Sequence, residues 1–260
     1  AEHLSVRDRE RLGEGAPGPE WRASTGLVED LRARKDPGEV AWIERAGAMA
    51  CRALERTLSH VEAGATELEV TAELEYRLRE EGSEGPAFES IVAAGPRSAL
   101  PHARPSDRAL AEGDLLLLDF GAVAGGYRSD ITRTVVIGEP SSWQLEIHGA
   151  VLAARRAALE AAAPGVPARE VDGAARASLE AAGHGERFGH ATGHGLGLEV
   201  HEAPGVSRRS DAILQEGHVV TIEPGVYLPG RGGVRVEDDV LLEAGGARLL
   251  TDFPLALREL

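Results

Sequence analysis

Only one cysteine occurs in 260 residues. An internal disulfide is therefore excluded, and the usage fits a reducing compartment, so a cytoplasmic location is expected. Cys51 itself lies among Ala50, Ala53 and Leu54 in a helical pattern and reads as core. Basic residues are also short: 28 Lys and Arg stand against 43 Asp and Glu, for a formal net charge of -15. That balance argues against nucleic acid or an anionic membrane as partner. Metal ligands among the acids would lower the effective charge. No apolar run is long enough to span a bilayer, and no secretory leader is recognisable. The chain begins at Ala1, as expected of a processed, truncated or renumbered sequence.

What is present is ordinary for a globular domain, 42% hydrophobic and 27% charged, with length enough for one sizeable core or a core and a small appendage. Residues 1–35 are charged and punctuated by Gly13, Gly15, Pro17, Gly18 and Pro19, and read as a linker or the tail of something else. A helix is predicted after Asp36-Pro37, through Ile43, Ala46, Ala50, Leu54 and Leu58, ending at Gly64. Thr66 and Glu69 form a capping-box pattern ahead of Leu74 and Leu78. Strands are predicted at 88–93, 115–120 and 131–137, helices at 142–162 and 168–181, and strands again at 218–222, 234–242 and 248–250. Helix, helix, strands thus occurs twice in order. It points to two similar halves, each laying helices on one face of a curved sheet, with a site between them. A parallel βαβ sheet lacks the required alternation.

Five residues at apolar-to-polar boundaries carry the chemistry: Asp119, Asp130, His194, Glu223 and Glu237. Four carboxylates and one imidazole suit two hard divalent ions sharing a pocket, which makes a dinuclear metallohydrolase the first hypothesis. Asp119 closes the run Leu115 to Leu118, and Asp130 follows the turn Gly125-Gly126-Tyr127. A hairpin would set the two aspartates side by side, although either alone reads equally as a turn or cap residue. The stretch FGHATGHGLGLEVHE, 188–202, packs His190, His194 and His201 among glycines that permit close backbone approach or positive φ. It is not HExxH, so a single-zinc helix site is not expected. Val219 to Ile222 leads into Glu223-Pro224-Gly225. In the run Val234 to Asp239, alternation places Arg235 and Glu237 on one face with Val234 and Val236 opposite. Asp238 and Asp239 are alternative ligands that spacing does not separate. His102, in a Pro-flanked loop, reads by itself as solvated.

Five segments in order, LPHARPS, LLLLDFGAVAGGYRSDITRT, FGHATGHGLGLEVHE, VVTIEPGVY and GGVRVEDD, resemble the metallopeptidases of the pita-bread fold, within them the Xaa-Pro aminopeptidase and prolidase group. The resemblance covers residues 36–260. It implies an α+β pita-bread fold with two pseudo-symmetric halves, helices packed on a curved, mostly antiparallel sheet. It further implies two divalent ions (Mn²⁺, with Co²⁺ or Zn²⁺ as alternatives) held by Asp119, Asp130, His194, Glu223 and Glu237, the second and last bridging. Asp238 and Asp239 then become supporting residues.

By the same resemblance His102 and His201 are imidazoles that contact the scissile amide, His190 lines the pocket, and Arg235 lies near the metals and the substrate. Tyr227 and Thr132 lie close by, Tyr227 on the substrate side. Water activated by the metal pair attacks the Xaa-Pro carbonyl, with Glu223 shuttling the proton. The expected activity is an Xaa-Pro aminopeptidase acting on short peptides with proline second. The alternatives are an Xaa-Pro dipeptidase, a methionine aminopeptidase or a catalytically silent peptide-binding domain. A creatinase-like activity is disfavoured because that branch lacks the metal ligands. A homodimer is plausible by resemblance. Two-domain members carry an N-terminal lobe, of which residues 1–35 resemble the tail and linker.

Overall fold

The computed structural model describes residues 4–16, 18, 20, 22 and 24–260; positions 1–3, 17, 19, 21 and 23, including Pro17 and Pro19 of the leading segment, lie outside the described residues. That segment contains two helices, α1 (Val6–Gly15) and α2 (Leu27–Ala33). The first half of the fold then begins with α3 (Pro37–Leu58) and α4 (Glu67–Glu80). Both open on capping boxes. Asp36 accepts the Glu39 N–H while Glu39 accepts the Asp36 N–H, and Thr66 and Glu69 do the same. α3 stops at Leu58, not at Gly64, which takes φ +95° in the connection to α4.

Strands β1 (Ile91–Ala94), β2 (Leu115–Phe120) and β5 (Ile131–Val136) form an antiparallel sheet in the order β1-β2-β5. Between β2 and β5 lies the small hairpin of β3 (Val123–Ala124) and β4 (Tyr127–Arg128). β1 starts at Ile91, so residues 88–90 of the predicted strand are loop. The second half repeats the plan. α5 (Ser142–Ala161) and α6 (Ala168–Ala181) pack on a sheet ordered β12-β11-β8-β6-β7. Its strands are β6 (Gly193–Gly195), β7 (Glu202–Val206), β8 (Val219–Ile222), β11 (Asp238–Glu243) and β12 (Gly246–Leu249). A separate ribbon pairs β9 (Gly225–Leu228) with β10 (Gly232–Arg235).

Each half has a main apolar cluster, and a smaller one, Val40 and Ile43 of α3 against Leu196, Val219 and Leu241, spans the two. Ala50, Leu54, Leu74 and Leu78 of α3 and α4 meet Leu116, Leu118, Phe120, Ile131 and Val135 in one cluster. Ile147, Val151, Val171 and Leu179 of α5 and α6 meet Val220, Ile222, Val234, Val236 and Val240 in another. The predicted single strand 234–242 is broken at Val236-Glu237. β10 pairs with β9 and β11 with β8, while Glu237 crosses to the other half and donates its N–H to Thr132 O at 3.1 Å. Strands β6, β7 and β9 escape sequence prediction because they are short and carry Gly193, Gly195, Pro204, Gly205 and Gly225 in place of an apolar alternation. Among the described residues no helix is long and apolar enough to cross a membrane.

Behind the Glu237 crossing, charge is buried deliberately. Arg133 donates to Glu237 O at 2.7 Å, Phe253 O at 2.9 Å and Asp238 Oδ1 at 2.8 Å, and Arg155 donates to Asp238 Oδ2 at 2.7 Å. Removing Asp238 leaves two buried guanidinium groups short of their carboxylate, a loss of about 3–5 kcal/mol for a broken buried pair. Asp238→Ala is therefore expected to lower the unfolding free energy by about that amount, read from urea midpoints at unchanged m-value.

Candidate metal centre

Strand parity places the candidate ligands. On β2, Leu116, Leu118 and Phe120 face the first core, so Asp119 faces away from the helices. Register pairs Asp119 with Thr132 on β5, and Asp130, two residues earlier, shares that face. In the second half, Val220 and Ile222 enter the core and leave Thr221 and Glu223 on the opposite side. Val234 and Val236 do the same for Arg235 and Glu237, as the alternation predicts. His194 arrives on β6, between Gly193 and Gly195. The need for glycine there is close approach and not positive φ: a Cβ at Gly193 would sit 1.8 Å from Thr221 O.

These faces meet in one cleft of about 400 Å³, lined by Asp119, Asp130, His194, Glu223 and Glu237 together with His102, His190, His201 and Arg235. The apolar part of the lining is Phe88, Ile91 and Val200. Candidate ligand atoms of Asp130, His194 and Glu237 lie within 4.8 Å of one another. His194 Nε2 stands 3.7 Å from Asp130 Oδ2 and 3.5 Å from Glu223 Oε1. Its Nδ1 bonds the Gly195 carbonyl at 3.0 Å, which puts the proton on Nδ1 and leaves the Nε2 lone pair aimed at the carboxylates. His190 Nδ1 stands 3.7 Å from the far oxygen of Glu223.

The carboxylates crowd at a cost. Burial, then the neighbouring Glu237 and Asp119, push the Asp130 carboxyl well above the usual range. Burial, then Glu223 and Asp119, do the same to Glu237. Burial raises Glu223 to about 7 despite the opposing pull of Arg235. Burial lowers His194 to about 4 and His190 to about 3, which favours the neutral ring at both and, at His194, the form that can bind a metal. One fixed cation faces this set. Arg235 pairs with Asp119, donates from Nε to Thr132 Oγ1 at 3.1 Å, and donates from Nη1 to Tyr227 OH at 2.8 Å. Thr132 Oγ1 in turn donates to Glu237 Oε2 at 2.5 Å.

The donor set fits divalent ions. Asp119 Oδ1 and Asp130 Oδ1 are buried without a hydrogen-bond partner, and buried carboxylate oxygens left so are expected to face a cation. Hard oxygens plus one imidazole is the donor chemistry of such ions.

A model of metallopeptidase family M24 matches residues 41–244. The chain belongs to that family. An Xaa-Pro dipeptidase of Pyrococcus furiosus is 44% identical over 248 residues, 95% of this chain and 71% of the relative. The structure titled Xaa-Pro dipeptidase from Bacillus anthracis superposes with a TM-score of 0.97 at 42% identity, covering 100% of this chain and 73% of that one. That of an X-Pro aminopeptidase from Thermotoga maritima also gives 0.97, at 43% identity, over 100% and 74% of the two chains. The M24 fold is accordingly the pita-bread fold, with its two halves as described.

Two expected residues are placed less directly. Tyr227 is not part of the cleft lining; its hydroxyl is held between Arg235 and His190 Nε2, the latter at 2.7 Å. Asp239 accepts the Asp130 N–H at 3.0 Å and Asp238 binds Arg133 and Arg155, so both brace the ligand strands from behind. Sequence reasoning missed Thr221, whose hydroxyl accepts the His194 N–H at 3.1 Å and donates to Glu223 Oε1 at 3.4 Å. It missed Arg133 and Arg155 as well. Only parity with Glu223 pointed to Thr221, and nothing pointed to the arginines.

Two outcomes follow from the crowded carboxylates. With its pKa raised above the unfolded value, Glu223 holds a proton that the unfolded chain loses first. The stability it contributes to the metal-free protein is complete below pH about 4.5 and disappears as pH rises through about 7. Melting of chelated protein is expected to fall across that window, and the fall is expected to vanish once Mn²⁺ is added. Glu237→Gln is expected to weaken Mn²⁺ binding in calorimetry at least ~100-fold, the scale of losing a charged ligand from a paired site.

Proposed function

We propose that this chain is a dinuclear-metal-dependent exopeptidase that hydrolyses Xaa-Pro bonds, with the free Xaa-Pro dipeptide as its favoured substrate. The observation that carries this reading is one cleft lined by four carboxylates, two with orphaned buried oxygens, together with His194, whose Nε2 stands 3.7 Å from Asp130 and 3.5 Å from Glu223. Asp119, Asp130, His194, Glu223 and Glu237 would hold the ions, with Asp130 and Glu237 shared. When bound, such a pair acidifies water and stabilises negative charge on a carbonyl oxygen.

The protein's own groups do the rest. Glu223, whose proton affinity is already raised towards neutrality by burial, is suited to take a proton from the attacking water. It is then suited to deliver that proton to the departing proline nitrogen, which as a tertiary amide has none of its own. His102 and His201, both solvent-exposed at the cleft, donate to the scissile amide as its oxygen gains charge. His190 lines the wall as a neutral ring, its Nδ1 bonded to Ala191 O and its Nε2 to Tyr227. Arg235 balances charge and orients Asp119, since its guanidinium is engaged with Thr132, Tyr227 and Asp119. Phe88, Ile91 and Val200 supply an apolar wall for the proline ring beside His201.

The order of substrates is reversed from the expectation of an aminopeptidase. The cleft's volume, about 400 Å³, is at the small end for ligand sites. The name Xaa-Pro dipeptidase also recurs among relatives, at 44% identity in both Pyrococcus furiosus and Pyrococcus horikoshii.

The Mn²⁺-loaded chain is offered an Xaa-Pro dipeptide and an Xaa-Pro-Yaa-Zaa tetrapeptide, with products followed by mass spectrometry. Cleavage of the dipeptide is expected, and Glu223→Gln should lower its kcat by roughly 10²–10⁴-fold. Release of the first residue from the tetrapeptide alone would restore the aminopeptidase reading. Silence on both, with metal bound, would overturn the proline-directed reading altogether.

A further inference from the structure

We infer that Glu202, gripped by Arg32 and Lys35 from the segment ahead of the family match, is a positioning residue for His201. The inference rests on the reading above, in which His201 touches the substrate. His201 ends a glycine-rich loop and Glu202 opens β7. Neighbouring side chains at a strand start point to opposite sides. An anchored Glu202 therefore aims His201 the other way, into the cleft, where its ring stands edge-on to His194 at 4.3 Å.

The anchor is built, not incidental. The Glu202 side chain is only 4% exposed and the Lys35 side chain 1%. Glu202 Oε1 accepts from Arg32 Nη2 at 2.5 Å, Arg32 Nε at 3.2 Å and the Glu199 N–H at 3.0 Å; Oε2 accepts from Lys35 Nζ at 3.1 Å. The Lys35 ammonium also donates to Ala33 O, at 3.5 Å. A buried lysine is retained at the expense of desolvation, which here lowers its pKa, so the carboxylate it bonds, Glu202, matters. The loop closes tightly around this contact. Gly197 donates to Glu199 O at 3.0 Å, and a Cβ at Gly197 would come 2.8 Å from Glu202 Oε2 and 3.0 Å from Lys35 Cε. From the other side Arg128 holds the same loop, its N–H on Gly197 O at 2.9 Å and its Nε on Leu198 O at 3.1 Å. Lys35 is fixed in turn, its own N–H bonding Gly217 O at 2.8 Å. Arg32 and Lys35 precede residue 41, so the aim of His201 depends on chain outside the matched region.

The test uses the full chain and its Glu202→Gln, Lys35→Met, His201→Ala and Glu202→Gln/His201→Ala variants. The first readout is the ¹H–¹³C spectrum of the histidine rings in the Zn²⁺-loaded, diamagnetic protein, with the His201 signal assigned by its loss in His201→Ala. Glu202→Gln and Lys35→Met are expected to shift and broaden that signal while the His190 signal stays in place. The second readout is turnover of whichever proline peptide the chain cleaves. Glu202→Gln should lose roughly ten- to a hundredfold in kcat, the scale of a small misplacement of a reacting group. Its KM should change less than about twofold, and the double variant should be no slower than His201→Ala alone. An unmoved His201 signal, or losses that multiply in the double variant, overturns the inference. Should no variant, nor the parent, cleave a proline peptide, the functional reading fails while the His201 signal still decides the positioning.

Discussion

Everything near the cleft is arranged around one electrostatic problem: four carboxylates brought together inside the protein with a single guanidinium among them. Like charges at that separation and burial do not all remain ionised unaided, and the upward shifts of Asp130, Glu223 and Glu237 state the same thing in protons. Arg235 offsets one charge. Two orphaned oxygens, on Asp119 and Asp130, and a neutral imidazole with its lone pair turned inward define where the remaining positive charge belongs. Such a cluster is costly as bare carboxylate and fits a divalent cation, the balance expected of a functional site and not of a structural one.

The fold resists this repulsion by making neither half sufficient. Asp119 and Asp130 come from β2 and the start of β5; His194, Glu223 and Glu237 come from the second half. The seam is closed by the Glu237–Thr132 backbone bridge, by the Asp130 N–H on Asp239, and by Arg133 spanning Glu237 O and Asp238. Thr132, Arg133, Asp238 and Asp239 lie outside the cleft lining. An apolar cluster also spans the halves, Val40 and Ile43 of α3 against Leu196, Val219 and Leu241, so apolar packing and polar contacts share the seam. The polar part suits a site whose geometry tolerates little slack, because directional bonds fix register where apolar packing alone does not.

The sequence made three candidate ligands legible because each sits where a strong pattern stops. Asp119 ends four leucines, Glu223 follows Val219 to Ile222, and Glu237 falls on the polar phase of Val234 to Val236. Period-two alternation then says which face they share, and the structure keeps that phase even where the strand itself breaks at Glu237. The first two long helices were legible through their caps, at Asp36 and Thr66. Long-range pairing was not legible. No local rule announces that Asp238 will meet Arg133 and Arg155, 105 and 83 residues away, or that Glu237 leaves its neighbours to bond Thr132. The glycine-rich strand of His194 was equally hidden, since its reason is the Thr221 carbonyl against Gly193, a tertiary fact. Tyr227 shows a different failure. Its place in the motif marks it as near the site, and only the structure shows that its hydroxyl is already occupied by Arg235 and His190.

The same occupancy bears on which groups are free to act. Arg235, Thr132 and Tyr227 form one connected chain from Asp119 and Glu237 to His190, with each hydroxyl both donating and accepting. A group inside such a chain cannot turn to a substrate without leaving a partner unsatisfied, which costs more than the new contact returns. His102 and His201 are outside it: both are exposed at the cleft. Division of labour follows from burial. Groups with every bond committed brace the candidate ligands, and the two exposed imidazoles stay accessible from the cleft. An imidazole free to bond is also free to wander, which is why the fixation of its loop, through Arg128 on one side and Glu202 on the other, belongs to the same design as the buried carboxylates.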